Sequence, residues 1–367
     1  MALLKPFRAL RYDPETAGPL DDLVSPPHDV LTPELRERLV AASPFNAVRL
    51  VGADDAAQAG RELALWRAQG VLVREAEPGV WLLAEDFLGP DGLRRSRRGV
   101  VARVRLEPYE RGVILAHERT FERSKEERLP LLRATRTKLS PIFLLHDGPG
   151  PAETPARPPD LEATLDGVTS RLWRLPDAGA VASVTPPLVI ADGHHRYETA
   201  LRFHEEAGGE ETAYVLAALV SKRDSGLEIF PTHRLAAAVP ELDGTFRLTE
   251  LGGGAEEGLA ALAELPRDRP AFVLLHAGGA TLAEAEGPLL DSALVDRLPL
   301  EGVRFTASAT EAERAVASGE AAAAFLVRPP TVEDVETLAR AGERLPAKST
   351  YFFPKLTCGL LFAPFDE

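Results

Sequence analysis

The sequence predicts a mixed α/β (α+β) fold, and three features predict it. Apolar runs too short for globular helices recur along the chain, at 187–191, 212–220 and 271–276 among others. Segments of helical periodicity with caps and terminal glycines lie between them, as at 55–69 and from Thr331 to Gly342. Strand and helix alternate rather than cluster, which calls for helices packed on sheets.

Residues 1–98 are expected to form an N-terminal α/β unit. Residues 5–12 suit an edge strand, and Ser25 to Asp29 a stiff turn whose His28 either reaches an active site or stands in water. Thr32 before Pro33 has the cap and first-position proline of a helix running towards Ala42. A strand follows at 47–51, then an amphipathic helix at 55–69 with Leu63 and Trp66 inward, then a hairpin-like run at 80–87. The run from Arg94 to Arg98 reads as a solvated basic loop.

Residues 99–240 are the expected core. A strand at 99–106 and an apolar stretch at 112–116 lead into His117 and Glu118, which open onto a charged helix at 124–135. A strand at 140–145 precedes a surface connection rich in Pro and Gly at 148–159. The run 187–191 then meets Asp192 and Gly193 and gives way to a helix that ends at Gly208 and Gly209. A buried strand at 212–220 and a second from Glu228 deliver His233 and Arg234.

Residues 241–367 read as a C-terminal α/β lobe, with strands at 271–276, 303–306 and 321–327 and helices at 292–298, 310–318 and from Thr331. An extended aromatic stretch from Lys348 to Lys355 closes it.

Composition narrows the function classes. A chain of 367 residues, 45% hydrophobic and 27% charged, has enough apolar content for two or three ordinary domains. No apolar run approaches a membrane span and Met1 to Val24 lacks a signal-peptide pattern, so a cytoplasmic protein is expected. The single cysteine, Cys358, fits a reducing compartment. A net charge of −14 repels nucleic acid and anionic membranes, so neither is an expected partner, and phosphate chemistry would need a locally positive pocket. Lysine is scarce, and two of the six lie between Lys348 and Lys355. The composition leaves the oligomeric state open.

The stretch from Asp192 to Arg196 is the strongest candidate site. Asp192 fits a helix cap, Gly193 lets a ligand approach the backbone, and His194, His195 and Arg196 fall in the first helical turn. Cations there oppose the helix dipole unless an anion lies between them, so the pattern points to phosphate binding. A buried histidine pair and a zinc site are the rival readings, although adjacent helical residues diverge by about 100° and share a metal poorly. His117 and Glu118 place a carboxylate at the mouth of a sheet, which suits a general base. His233 and Arg234 supply either another anion contact or a structural polar cluster. No P-loop or GxGxxG fingerprint is present.

Residues 191–200 resemble the phosphate-binding box of the ParB/sulfiredoxin superfamily in its Asp-Gly-His-His-Arg form, which is similar to the free L-serine kinases. His117 with Glu118 resembles the His-Glu of those kinases, and the stretches from Arg314 to Val327, from Pro330 and from Pro346 resemble their C-terminal half. The whole chain also resembles an uncharacterised family known as domain-of-unknown-function family ten-fifteen. The resemblance implies a ParB/sulfiredoxin-like catalytic core, with the N-terminal unit lacking a counterpart in the short serine kinases. It implies a nucleotide-dependent kinase that phosphorylates a free amino acid, with L-serine giving O-phosphoserine, and with ATP or ADP and Mg²⁺ as cofactors. Glu118 would be the base, with Asp192 and His195 completing the catalytic set and Asp192 the metal ligand. Gly193, His194, His195 and Arg196 would hold the phosphoryl group. His117, His233, Arg234, Lys348, Ser349 and Thr350 would contact the substrate. A phosphatase or nucleotide hydrolase using the same pocket, and a non-catalytic ParB-like nucleotide-binding switch, are the alternatives.

Overall fold

The computed structural model describes residues 3–120, 122–151, 153–175, 178–182, 184–287, 290–346 and 348–365. Two mixed α/β layers organise them. The larger is a nine-stranded sheet whose centre runs Leu188–Asp192, Ile142–His146, Tyr214–Ser221, Arg94–Arg105 and Val80–Leu88. Tyr214–Ser221 pairs in parallel with Ile142–His146 and antiparallel with Arg94–Arg105, so the sheet is mixed. The smaller sheet has six strands and includes Ala271–His276, Ala323–Leu326, His233–Ala236 and, at its edge, Arg304–Thr306. No helix among the described residues is long and apolar enough to cross a membrane.

The capping signals hold. Thr32 accepts the Leu35 N–H at 3.2 Å and opens the helix Pro33–Ala42. Thr331 and Asp334 form a reciprocal capping box at the start of Val332–Arg340. The helix Ala56–Ala68 buries Leu63 and Trp66, as its periodicity requires.

Three local expectations are corrected. The apolar run at 47–51 forms the short helix Val48–Val51, not a strand. Short apolar runs do not distinguish the two by periodicity, and here the buried Asn46 side chain accepts the Val48 N–H at 2.9 Å and so starts a turn. The arginines at 94–98 are not a loop but the start of the strand Arg94–Arg105. Arg97 lies directly opposite Glu85 in the hairpin, and the two form a fully buried ion pair at 2.6 Å. The helix after Asp192 has Gly193 as its cap, with no side-chain cap bond, and Asp192 is the last residue of the preceding strand. The strands Leu161–Leu165 and Val168–Leu175 went unread in the sequence.

The end of the chain packs back against the larger sheet through two separate two-stranded ladders. Tyr351–Phe353 pairs with Glu228–Phe230, Ala363–Pro364 pairs with Thr137–Lys138, and Phe352, Leu356, Leu360 and Leu361 enter the same core as Phe7, Trp81 and Phe143. The expected boundary after residue 98 falls inside the strand Arg94–Arg105, and His233–Ala236 pairs within the smaller sheet. The two layers meet around one cavity.

Candidate active site

The strand Leu188–Asp192 delivers Asp192 to the rim of that cavity, and Gly193 turns the chain into the helix His194–Ala207. Gly193 has φ 100°, and a Cβ there would come within 2.8 Å of the Ile142 side chain, so conformation and space both demand glycine. The N–H groups that follow lack carbonyl partners within the helix and point outward, as at any helix start. Ile114–Leu115 runs parallel to Leu188–Val189, which carries Glu118 to the same rim with His117 buried behind it.

The cavity has a volume of about 630 Å³. Glu118, Arg128, the segment Asp192 to Arg196, Lys348, Thr350 and Lys355 line it, together with Thr232, Phe305, Ser308 and Glu311. The structure therefore gathers the expected Glu118, Asp192, Gly193, His194, His195, Arg196, Lys348 and Thr350 around one space. His117, Ser349, His233 and Arg234 do not line it.

Charge is arranged unevenly. One Asp192 oxygen is bonded by Arg196 and the other by Lys355, with the three side chains only 11–16% exposed. Burial would raise the Asp192 carboxyl, but Lys355 and Arg196 outweigh it and hold it well below the usual carboxylate range. Arg196 also donates to the Pro141 carbonyl. Glu118 is the opposite case. Burial, reinforced by the Asp192 charge, pushes its carboxyl up to about 7 against the pull of Lys355 and Lys348. No hydrogen bond or ion pair ties the Glu118 carboxylate to another described residue. Arg128 is likewise without a hydrogen bond or ion pair among the described residues, and burial and the adjacent Arg196 charge lower its pKa. A guanidinium keeps its proton regardless, so Arg128 presents a cation to the cavity.

The two histidines of the motif differ. His194 is buried and accepts the His117 backbone N–H at Nε2, 3.3 Å away, which makes it a neutral acceptor rather than a cationic phosphate ligand. Burial holds its pKa well below the ordinary value. His117 packs edge-on against it, ring centres 4.6 Å apart, and its Nε2 hydrogen-bonds Thr350 Oγ1 at 3.0 Å. Burial pushes His117 down to about 4, so this pair is uncharged and fixes Thr350 at the cavity wall. His195 is half-buried on the lining itself. Ser349 is buried, with its Oγ lacking a hydrogen-bond partner among the described residues. His233 is buried, its Nδ1 accepting the Val327 N–H at 3.2 Å, and Arg234 is locked on Asp296 by two bonds of 3.0 Å.

The residues present do not fit a dedicated Mg²⁺ site at Asp192. Both of its oxygens already face a cation, and a metal would have to displace Arg196 or Lys355. Among the described residues no group of three or more His, Cys, Asp or Glu is placed to hold a metal ion. Positive charge at the cavity comes instead from Arg128, Lys348, Lys355 and Arg196.

Sequence reasoning missed Arg128, Lys355 and Phe305. The rarity of lysine pointed at Lys355. Nothing local marks Arg128 within its charged helix or Phe305 within its short strand.

The family model described as "Protein of unknown function (DUF1015)" matches residues 4–300. No curated protein matches the sequence. Among solved structures, free serine kinase in complex with AMP is 14% identical, with 70% of this chain and 88% of that chain covered and a TM-score of 0.40. A conserved hypothetical protein from Pyrococcus furiosus is 14% identical over 69% of this chain and 90% of its own, with a TM-score of 0.37. C-terminally truncated SbnI from Staphylococcus aureus is 14% identical over 72% and 87%, with a TM-score of 0.39.

Proposed function

This chain belongs to the DUF1015 family, described as proteins of unknown function, and we propose that it is a nucleotide-dependent kinase acting on the hydroxyl of a free amino acid, L-serine foremost. The observation that carries this reading is the pairing, within one cavity, of a buried carboxyl raised towards neutrality, with no hydrogen bond or ion pair among the described residues, and a helix start with the Arg128 guanidinium nearby. The Glu118 carboxyl is raised to about 7 and has no hydrogen bond or ion pair among the described residues, so near neutral pH it can accept a hydroxyl proton. The first-turn N–H groups after Gly193, with Arg128 beside them, offer donors to phosphate oxygens.

In the proposed reaction the substrate hydroxyl oxygen attacks the terminal phosphorus of ATP or ADP. The bond from that phosphorus to the nucleotide oxygen breaks, the shortened nucleotide leaves with the electron pair, and Glu118 takes the hydroxyl proton. Catalysis of such a step rests on positioning and on neutralising charge over the phosphate oxygens. Asp192 contributes by holding Arg196 and Lys355 in place. Lys348 and Thr350 close over the acceptor, and His195 borders the phosphoryl group. Mg²⁺, if required, would enter with the nucleotide phosphates rather than at a prepared protein site.

The test is incubation of the purified protein with ATP or ADP, Mg²⁺ and L-serine. Formation of O-phosphoserine supports the kinase reading. Free phosphate released at a rate independent of serine points to a hydrolase, and nucleotide binding without turnover to a switch.

A further inference from the structure

We infer that Phe305 is a stacking platform for the base of the bound nucleotide, which divides the cavity into an aromatic end and a phosphate end. This inference rests on the nucleotide reading above and adds to it the group that recognises the base. Phe305 lies on the edge strand Arg304–Thr306, lines the cavity and is 45% exposed. Among the described residues it is the one large exposed hydrophobic that is aromatic, the others being Leu and Val.

Its orientation is fixed from behind. Arg234 stands directly opposite Phe305 in the sheet register, and its guanidinium lies 5.6 Å from the ring centre. That guanidinium is itself completely buried and clamped by Asp296 and the Thr232 carbonyl. One ring face is thus covered by an immobile cation. Val30 and Pro231 add apolar wall to the same cavity, while the anion-binding groups belong to the helix start and Arg128. A flat, rigid ring flanked by apolar wall, in a cavity that also holds the helix start and Arg128, matches a ligand with one aromatic and one anionic part. Stacking tolerates any base, so the platform supplies affinity rather than choice among bases.

The experiment compares ADP with pyrophosphate, which carries the same phosphate pair and no base, by calorimetric titration of the wild type, Phe305→Ala and Phe305→Tyr. The wild type is expected to bind ADP more tightly than pyrophosphate. Phe305→Ala should weaken ADP about five- to hundredfold, the range for one stacked base, and leave pyrophosphate within about twofold. Phe305→Tyr should restore ADP binding. An ADP affinity unchanged in Phe305→Ala, or ADP and pyrophosphate weakened equally, overturns the platform while leaving the phosphate site intact. Failure of the wild type to bind either ligand overturns the phosphate reading itself, and the platform with it.

Discussion

The turn that carries Arg196 and the strand that carries Arg234 both place a guanidinium next to a histidine in sequence and opposite an aspartate in space. At Arg234 every group is consumed. The strand His233–Ala236 is paired on both sides, His233 accepts a backbone N–H, and the guanidinium is committed to Asp296 and a carbonyl. At Arg196 the chain is leaving a strand to start a helix, whose first-turn N–H groups have no carbonyl partner within the helix, and a second cation, the Arg128 side chain, lines the same cavity with no hydrogen bond or ion pair among the described residues. An ion pair inside a sheet builds the fold, while one at a helix start can leave donors for a ligand.

The largest expected effect breaks the reactive side alone. Glu118→Gln should lower phosphoryl transfer by about 10²- to 10⁴-fold, measured as phosphoserine formed under saturating nucleotide. Wild-type transfer should rise with pH through about 7 as Glu118 ionises. Stability should move the other way. The folded state keeps the Glu118 proton up to about 7, whereas the unfolded chain releases it near 4.5, so the wild type loses stability between those values as pH rises. Glu118→Gln should therefore melt higher than the wild type at pH 8 and not at pH 4.5. A melting difference independent of pH removes the raised carboxyl from the argument.

Next in size is Arg234→Ala. Deleting one partner of a buried pair costs about 3–5 kcal/mol, and because Asp296 remains 25% exposed the expected loss falls below that range, about 2–3 kcal/mol by denaturant unfolding. Arg196→Ala sharpens the contrast. Asp192 retains Lys355, so stability should fall less than in Arg234→Ala while phosphate-ligand affinity falls more. Affinity untouched by Arg196→Ala would remove Arg196 from the phosphate site.

Arg128→Ala should show the smallest change and the cleanest separation. Pyrophosphate binding should weaken about tenfold, as for one charge-assisted contact, with unfolding stability unchanged. Lower stability together with unchanged binding would make Arg128 a fold residue like Arg234.

Much of this was legible from the chain. The Asp-Gly bend, the helix after it, the His-Glu pair at a strand end and the capping threonines are local patterns, and local backbone physics produces them wherever they stand. The helix at 48–51 was not, because a short apolar run leaves the choice to neighbours such as Asn46. Nor was the strand within the arginine run, since Arg97 is tolerated inside only because Glu85 arrives opposite it from the other arm of the hairpin.

The sequence by itself determined a mixed α/β chain with a glycine-turned helix start and a carboxylate at a sheet mouth, because spacing, capping and φ preference act over a few residues. Only the tertiary structure decided which charges stay available. Asp192 is bound by Lys355 from 163 positions away, Arg234 is neutralised by Asp296, and the Glu118 and Arg128 side chains have no hydrogen bond or ion pair among the described residues. Those outcomes depend on burial and on contacts between distant segments, and no local pattern encodes either.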